Sequence, residues 1–454
     1  MSDTTRDRPI IDVRPLIENQ RIAGFWVALF AVAWLVTFLE GFDLQVISFA
    51  GSFLKHDFGI NNTQLGTLGT IGVVGQLFGG IAIGYLGDKF GRKPLIIGSV
   101  AGFAVFMVLF AFAANYSQLV LLRFATGLFI GGALPLVWAL VSEFAPRRLR
   151  STSVVIVMVG YSLGSASGGP VSNLLIPHHG WSSVFLAGGI ASFAVLIPVI
   201  LFMPESIKFL AEHNVRREKI LPILRRVSPG LQAPADARFV VGTQEVERVR
   251  FTPAHLFRGK LAWLTPLVWA AWFCSATIVF YLAFWSPILN QQLGFSVSAA
   301  ANLAAVTSVA GALGQVLISR FIDRRGAGSI MWMPLLAVPC LILIGFAPLG
   351  MAGYVAVLIL SHIMIIGGNG GVISISGIFY RPGIRASGGG WAASVSKLGA
   401  MLGPWLAGLL LDDGISAKGT FFVFAIFPVA MVVVLAVLGR IQRTLPAGAE
   451  GSLQ

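Results

Sequence analysis

Charge is what this chain has least of: 19 acidic and 32 basic residues among 454, or 11% in all. A soluble globular chain carries about 25% charged residues, so a large water-soluble enzyme is excluded. Cysteine is nearly absent. Cys274 and Cys340 are the two present, both in apolar runs, and a disulfide framework goes with them. Histidine numbers six, and no Walker loop or metal-ligand grouping of His, Cys, Asp and Glu occurs. No cofactor or metal is therefore expected, and no catalytic nucleophile with its base. What is abundant is apolar residue, 56%, with 53 glycines and a mean hydropathy of +0.83. Such a composition excludes disorder and leaves a polytopic helical membrane protein, with roughly 20 apolar residues for each of about a dozen spans.

The net charge of +13 would suit a nucleic-acid partner, but its distribution says otherwise. Apolar stretches fall at 23–49, 64–86, 95–114, 117–141, 152–175, 182–203, 261–289, 299–319, 329–349, 352–377, 387–411 and 419–439. With the N-terminus in the cytoplasm, 28 of the 32 lysines and arginines lie on the cytoplasmic side. Lys55 and Lys418 fall in outer loops, while Arg123 and Lys397 fall within spans. This is the positive-inside asymmetry. It predicts twelve spans with both termini cytoplasmic, an inner-membrane location and no nucleic acid. The polar first residues carry both signs and read as neither a signal nor a transit peptide.

The expected organisation is a cytoplasmic tail (1–22), a six-helix bundle (23–204), a cytoplasmic linker (205–260), a second six-helix bundle (261–440) and a cytoplasmic tail (441–454). The linker, with paired arginines at 216–217 and 225–226, reads as a solvated tether with some helix, facing anionic lipid. The bundles repeat. "GYLGDKFGRK" follows the second span and "SRFIDRRG" the eighth; "FAPRRLRS" follows the fourth and "FYRPGIRAS" the tenth. Asp88 and Asp323, Phe144 and Phe379, and Arg150 and Arg385 are all 235 residues apart. A shared offset across separate motifs implies two bundles related by an axis along the membrane normal, with the substrate site between them near the midplane.

Gly84-x-Leu86-x-Asp88-Lys89-x-Gly91-Arg92-Lys93, Arg123 with Gly127 and Gly131, and Pro204-Glu205-Ser206 together resemble the signature elements of the major facilitator superfamily. The resemblance implies an all-α fold of twelve transmembrane helices and transport by alternating access; a monomer is the expected working unit, with an organic anion, protons and the lipid bilayer as its partners. The loop charges fit latches between the bundles. Asp88 stands with Arg92 and Lys93, Glu143 with Arg147, Arg148 and Arg150, and Asp323 with Arg324; Arg385 is the counterpart of Arg150.

Ionisable groups inside a span are functional candidates by default, and there are five: Glu40, Asp43, Arg123, His362 and Lys397. At 1.5 Å per residue, Asp43 and Arg123 lie roughly 9–10 Å above the middles of the first and fourth spans, at one level and placed to pair. Lys397 falls near the centre of the eleventh span. Glu40 and Asp43 share a helix face, and two close carboxylates in a low dielectric cannot both stay ionised cheaply. Proton coupling is the expected role, more strongly for Asp43 than for Glu40; the alternative is that the acids neutralise Arg123.

"EGFD" at 40–43, "FYLAFWSPIL" in the seventh span and "GGGWAASVSKLGAMLGPWLAG" in the eleventh resemble the aromatic acid:proton symporter family. The likeness implies import of a benzoate- or hydroxybenzoate-like anion with protons. Glu40 stands where the family has Asp, and Lys397 where arginine is common, so a point charge replaces a planar fork. Lys397 is the expected carboxylate partner, with Tyr281 and Trp285, which share a face and carry polar handles, against the ring. His362 relays protons or merely bonds a helix backbone. Asn369, beside Gly367 and Gly368, is read as a polar contact where the tenth span unwinds. Carriers of sugar-like solutes, other organic acids or drugs are the rival readings, and a membrane sensor is a more distant one.

Overall fold

The computed structural model describes residues 10–18, 24–146, 149–212, 217–228, 230–231, 234, 237–240, 252–259, 261–325, 327–380 and 382–443. Its frame is twelve long helices: α1 (Gly24–Phe58), α2 (Asn62–Phe90), α3 (Arg92–Phe110), α4 (Tyr116–Phe144), α5 (Arg150–His179), α6 (Ser182–Phe202), α7 (Leu261–Gln292), α8 (Val297–Arg325), α9 (Trp332–Phe346), α10 (Met351–Phe379), α11 (Pro382–Asp412) and α12 (Ile426–Arg443). In lipid a spanning segment must satisfy its own backbone, so each apolar run becomes helix. Polar caps set the ends. Asn61 and Gln64 form a capping box on α2, and the Asn115 side chain caps α4. A short helix, Ala417–Phe424, leads into α12; Pro428 cannot donate to the Phe424 carbonyl, and the chain breaks at Ala425.

Eleven segments among the described residues are long and apolar enough to cross a bilayer. The remaining long helix, α5, carries Ser162, Ser165, Ser167, Ser172 and Asn173 among its glycines. It packs on α1 and on α8, so its small residues meet protein on two sides.

The packing obeys the repeat. α2 lies on α4 as α8 lies on α10, α1 on α5 as α7 on α11, and α3 on α6 as α9 on α12. Between bundles, α2 meets α11 as α8 meets α5, and α1 meets α7 on the axis. Close approach needs small residues: a Cβ on Gly127 would strike the backbone at Gly72.

The seam between bundles is bonded from mid-depth to the face away from the termini. Pro287 in α7 has no N–H, which leaves the Ala283 carbonyl without its intrahelical donor. Gln45 of α1 donates to it at 2.9 Å, Ser48 donates to the Phe284 carbonyl, and Ser52 to Gln291. Asp412, ending α11, accepts from the backbone N–H and side chains of Asn62 and Thr63 at the start of α2, at 2.7–3.0 Å. Asn173 of α5 donates to Asn302 and to the Ser298 carbonyl. At that end Gly66 and Gly408 press on the backbone of the opposite bundle, whereas Gly84 and Gly390, toward the termini, have no neighbour within 4 Å of a Cβ position. α2 and α11 therefore touch at one end and part at the other, and the cleft opens on the face that carries the termini. Asp412→Ala should loosen the closed end. In a background lacking Cys274 and Cys340, a cysteine at Thr70 should then react several-fold faster with an impermeant thiol reagent from the far face.

The described linker is folded against the bundles, a departure from the solvated tether: residues 217–240 lie on the side of the first, and Pro253–Phe257 packs on α7 of the second, where Thr265 donates to the Leu256 carbonyl. Strand β1 (Ile10–Asp12) of the tail pairs in parallel with β2 (Arg238–Val240). Ile220, Leu224 and Val227, spaced for one helix face, are buried in Arg217–Val227, which packs against α1. Val13, Ile17 and Phe239 are buried beside them.

Candidate functional site

Arg123 of α4 donates to Asp43 Oδ1 of α1 at 2.7 Å and to the Asp43 carbonyl at 3.4 Å, with both side chains buried. Gly72 of α2 makes the room; a Cβ there would lie 2.8 Å from the Arg123 Nε. One turn nearer the open face, Glu40 is 5% exposed and its Oε2 has no partner among the described atoms. Glu40 lies within electrostatic range of Asp43 and of Lys397. Lys397 crosses the cleft from α11 and donates to Gln76 Oε1 of α2 at 2.7 Å. Two acids and two bases thus cluster in the middle of the membrane region, contributed by both bundles. Just beyond them toward the closed face, Val73, Ala276 and Ala400 form an apolar plug with Phe280 and Met401 against it.

The two acids differ in their surroundings. Asp43 is engaged by a permanent cation, while Glu40 is the carboxyl with a free oxygen. Gln76 was not among the sequence candidates because it is neutral and a search for charges passes over it. Its depth, at the middle of a glycine-rich span, was the available signal. Tyr161 of α5, within electrostatic range of Glu40 and Asp43, was missed for the same reason.

The other candidates are not gathered here. Tyr281 is fully buried, hydrogen-bonded through its hydroxyl to Thr420 at 2.8 Å and stacked on Phe424 at 3.8 Å. Trp285 is fully buried and donates to the Pro404 carbonyl. Both handles are spent on packing within the second bundle. His362 is buried and bonds the Leu358 carbonyl of its own helix. Asn369 is half-buried on α10, and the expected unwinding does not occur: α10 is continuous. Its glycines serve contact instead, Gly367 lying against the backbone of Gly314 on α8.

The latch residues form a network inside the first bundle. Glu143 accepts from Arg92 at 2.6 Å, from the Ser206 hydroxyl and from the Lys208 backbone. Arg147 and Arg148 lie outside the described residues, as do the side chains of Arg150, Asp323 and Arg324. Glu205 caps α3 by accepting from the backbone of Arg92 and Lys93. Asp88 is exposed with no partner among the described residues, and Arg385 bonds the Tyr380 carbonyl. Gly91 permits the turn, with φ of 100°, and a Cβ would meet Glu205 Oε2. Gly91→Ala should therefore destabilise the protein by about 1–3 kcal/mol, read as a lower melting temperature in detergent.

The sequence profile of the Major Facilitator Superfamily matches residues 33–381. The 4-hydroxybenzoate transporter PcaK of Pseudomonas putida is 31% identical over 405 residues, 89% of this chain and 90% of that one. The gallate transporter of Pseudomonas putida is 28% identical, covering 96% and 97%. The benzoate transport protein of Acinetobacter baylyi is 28% identical, covering 88% and 87%. Among solved structures, a bacterial homolog of the human lysosomal transporter Spinster, inward-facing and unoccupied, superposes with a TM-score of 0.72 at 18% identity, over 94% of this chain and 100% of that one. The xylose transporter XylE from E. coli, partially occluded and inward open, gives 0.72 at 17%, over 93% and 100%.

Proposed function

The chain belongs to the major facilitator superfamily, and from that premise we propose that it imports a small aromatic carboxylate together with a proton. It is a multi-pass membrane transporter and not an enzyme. The observation that carries the proposal is the buried charge group shared by both bundles, in which Lys397 reaches over to Gln76 near Glu40, whose Oε2 has no partner among the described residues. The relatives named for 4-hydroxybenzoate, gallate and benzoate transport supply the substrate class.

In this reading the substrate carboxylate sits at Lys397, the one mid-cleft cation among the described residues that no carboxylate contacts within bonding distance. Phe280 and Met401 are the nearby surfaces for a ring. Glu40 carries the proton. When it is neutral, Lys397 is released to the incoming anion; when it is ionised, it competes for the ammonium and expels the anion. Asp43 and Arg123 hold α1 to α4 as a fixed pair. With the termini cytoplasmic, the structure corresponds to the inward-open state. Opening outward breaks the Asp412 contacts and those of Gln45 and Ser48 with α7, and Asp88, with no partner among the described residues, is available to the closing inner face.

The test is uptake of labelled 4-hydroxybenzoate, benzoate and gallate into proteoliposomes, with and without a pH gradient. Saturable uptake that grows with an inward proton gradient is expected. No aromatic-acid uptake, or uptake indifferent to the gradient, would refute the proposal.

A further inference from the structure

Lysine at 397 poses a chemical problem. A carboxylate has two oxygens, and an ammonium meets them as a point charge, without the pair of parallel donors that an arginine presents. The structure contains a second donor at the right place. Gln76 accepts the Lys397 proton through Oε1 at 2.7 Å. Its amide therefore presents Nε2, with two N–H donors, on the other arm of the same planar group. That nitrogen has no partner among the described residues, yet it is not sealed from solvent as the unpartnered Glu40 Oε2 is. The α2 segment that holds Gln76 is fixed from behind, because Gly131 of α4 packs directly on its backbone. The side chain is 7% exposed, so its amide has little freedom to turn away. The apolar plug of Val73, Ala276 and Ala400 closes the space above it.

We propose that Lys397 and Gln76 together form the carboxylate clamp, the ammonium binding one oxygen and the Gln76 amide N–H the other. The clamp is split between the bundles: its charge belongs to α11 and its neutral arm to α2. Gln76 is then a specificity-determining residue, selecting an anion with two coplanar oxygens and assembling only when α2 and α11 stand at this separation. This rests on the reading that the substrate is a small carboxylate bound at Lys397.

The experiment measures the dissociation constant of 4-hydroxybenzoate and the KM and maximal rate of its uptake for four proteins in proteoliposomes: wild type, Gln76→Ala, Lys397→Arg and the double variant. Gln76→Ala should weaken binding about 10-fold or more, in KM rather than in maximal rate. Adding Lys397→Arg to Gln76→Ala should restore affinity to within about three-fold of wild type, because the guanidinium brings both donors. Gln76→Glu, which keeps the length, should abolish binding by offering Lys397 a carboxylate of its own. Unchanged affinity in Gln76→Ala overturns the clamp, as does a loss that arginine does not rescue. If Gln76→Ala does not insert, Gln76→Glu carries the same judgement, and carboxylate binding at wild-type strength overturns it. Wild-type protein that binds no aromatic carboxylate defeats the underlying reading instead, and the two failures are told apart on that control.

Discussion

Glu40→Gln should uncouple the carrier. With one proton moved per monovalent anion, the cycle is electroneutral, and one pH unit is worth 1.36 kcal/mol, or about tenfold accumulation. Wild-type vesicles should therefore accumulate substrate about tenfold for each unit by which the outside is more acidic, and uptake should rise as outer pH falls. Glutamine keeps the shape and cannot exchange a proton, so the variant should bring substrate only to equal concentrations on both sides while still exchanging labelled for unlabelled substrate. Asp43→Asn separates the two acids. It leaves the buried Arg123 guanidinium without its charge partner, a change of the kind that costs about 3–5 kcal/mol. Uptake and exchange should fall together, with a lower melting temperature. Normal exchange and normal stability in Asp43→Asn, with accumulation lost, would move the proton from Glu40 to Asp43.

Lys397→Met should remove the substrate's charge partner and leave the helix intact, since methionine matches the stem of lysine in volume and helix preference. A hydrogen bond to a charged group contributes about 1.5–3 kcal/mol, so affinity for the aromatic acid should fall about 10- to 150-fold. The readout is equilibrium binding to purified protein, with thermal unfolding as the control for folding. Tight binding retained in the variant would place the anion elsewhere.

Much of this architecture was legible because the bilayer imposes it. Apolar runs of the right length had to become helices, and the 235-residue offset announced the two-fold packing that relates α2–α4 to α8–α10. Fixed rise per residue put Asp43 and Arg123 at one level, and the structure pairs them. What the sequence hid is what depends on rotation and on neutral groups. Helix phase decides that Tyr281 and Trp285 turn into their own bundle toward Thr420 and Pro404, and aromatic content is blind to that. Glu143 meets Arg92 across a helix pair because Glu205 and Ser206 bring the segment after α6 against both, a contact that sequence spacing does not reveal. Gln76 carries no charge, and glycines beside Asn369 serve tight contact as readily as they permit a break.

The proline at 287 has a kinetic consequence. The proline leaves the Ala283 carbonyl without a backbone donor, so when Gln45 withdraws, that oxygen must be met by a water molecule or by the Ser286 hydroxyl three residues on, which has no partner among the described residues, or remain bare at a cost of about 1–3 kcal/mol. In the proposed cycle, hydration of the far-face vestibule therefore assists the return stroke. The empty carrier should reset more slowly in concentrated osmolyte, by an amount that substituting alanine for Pro287 removes.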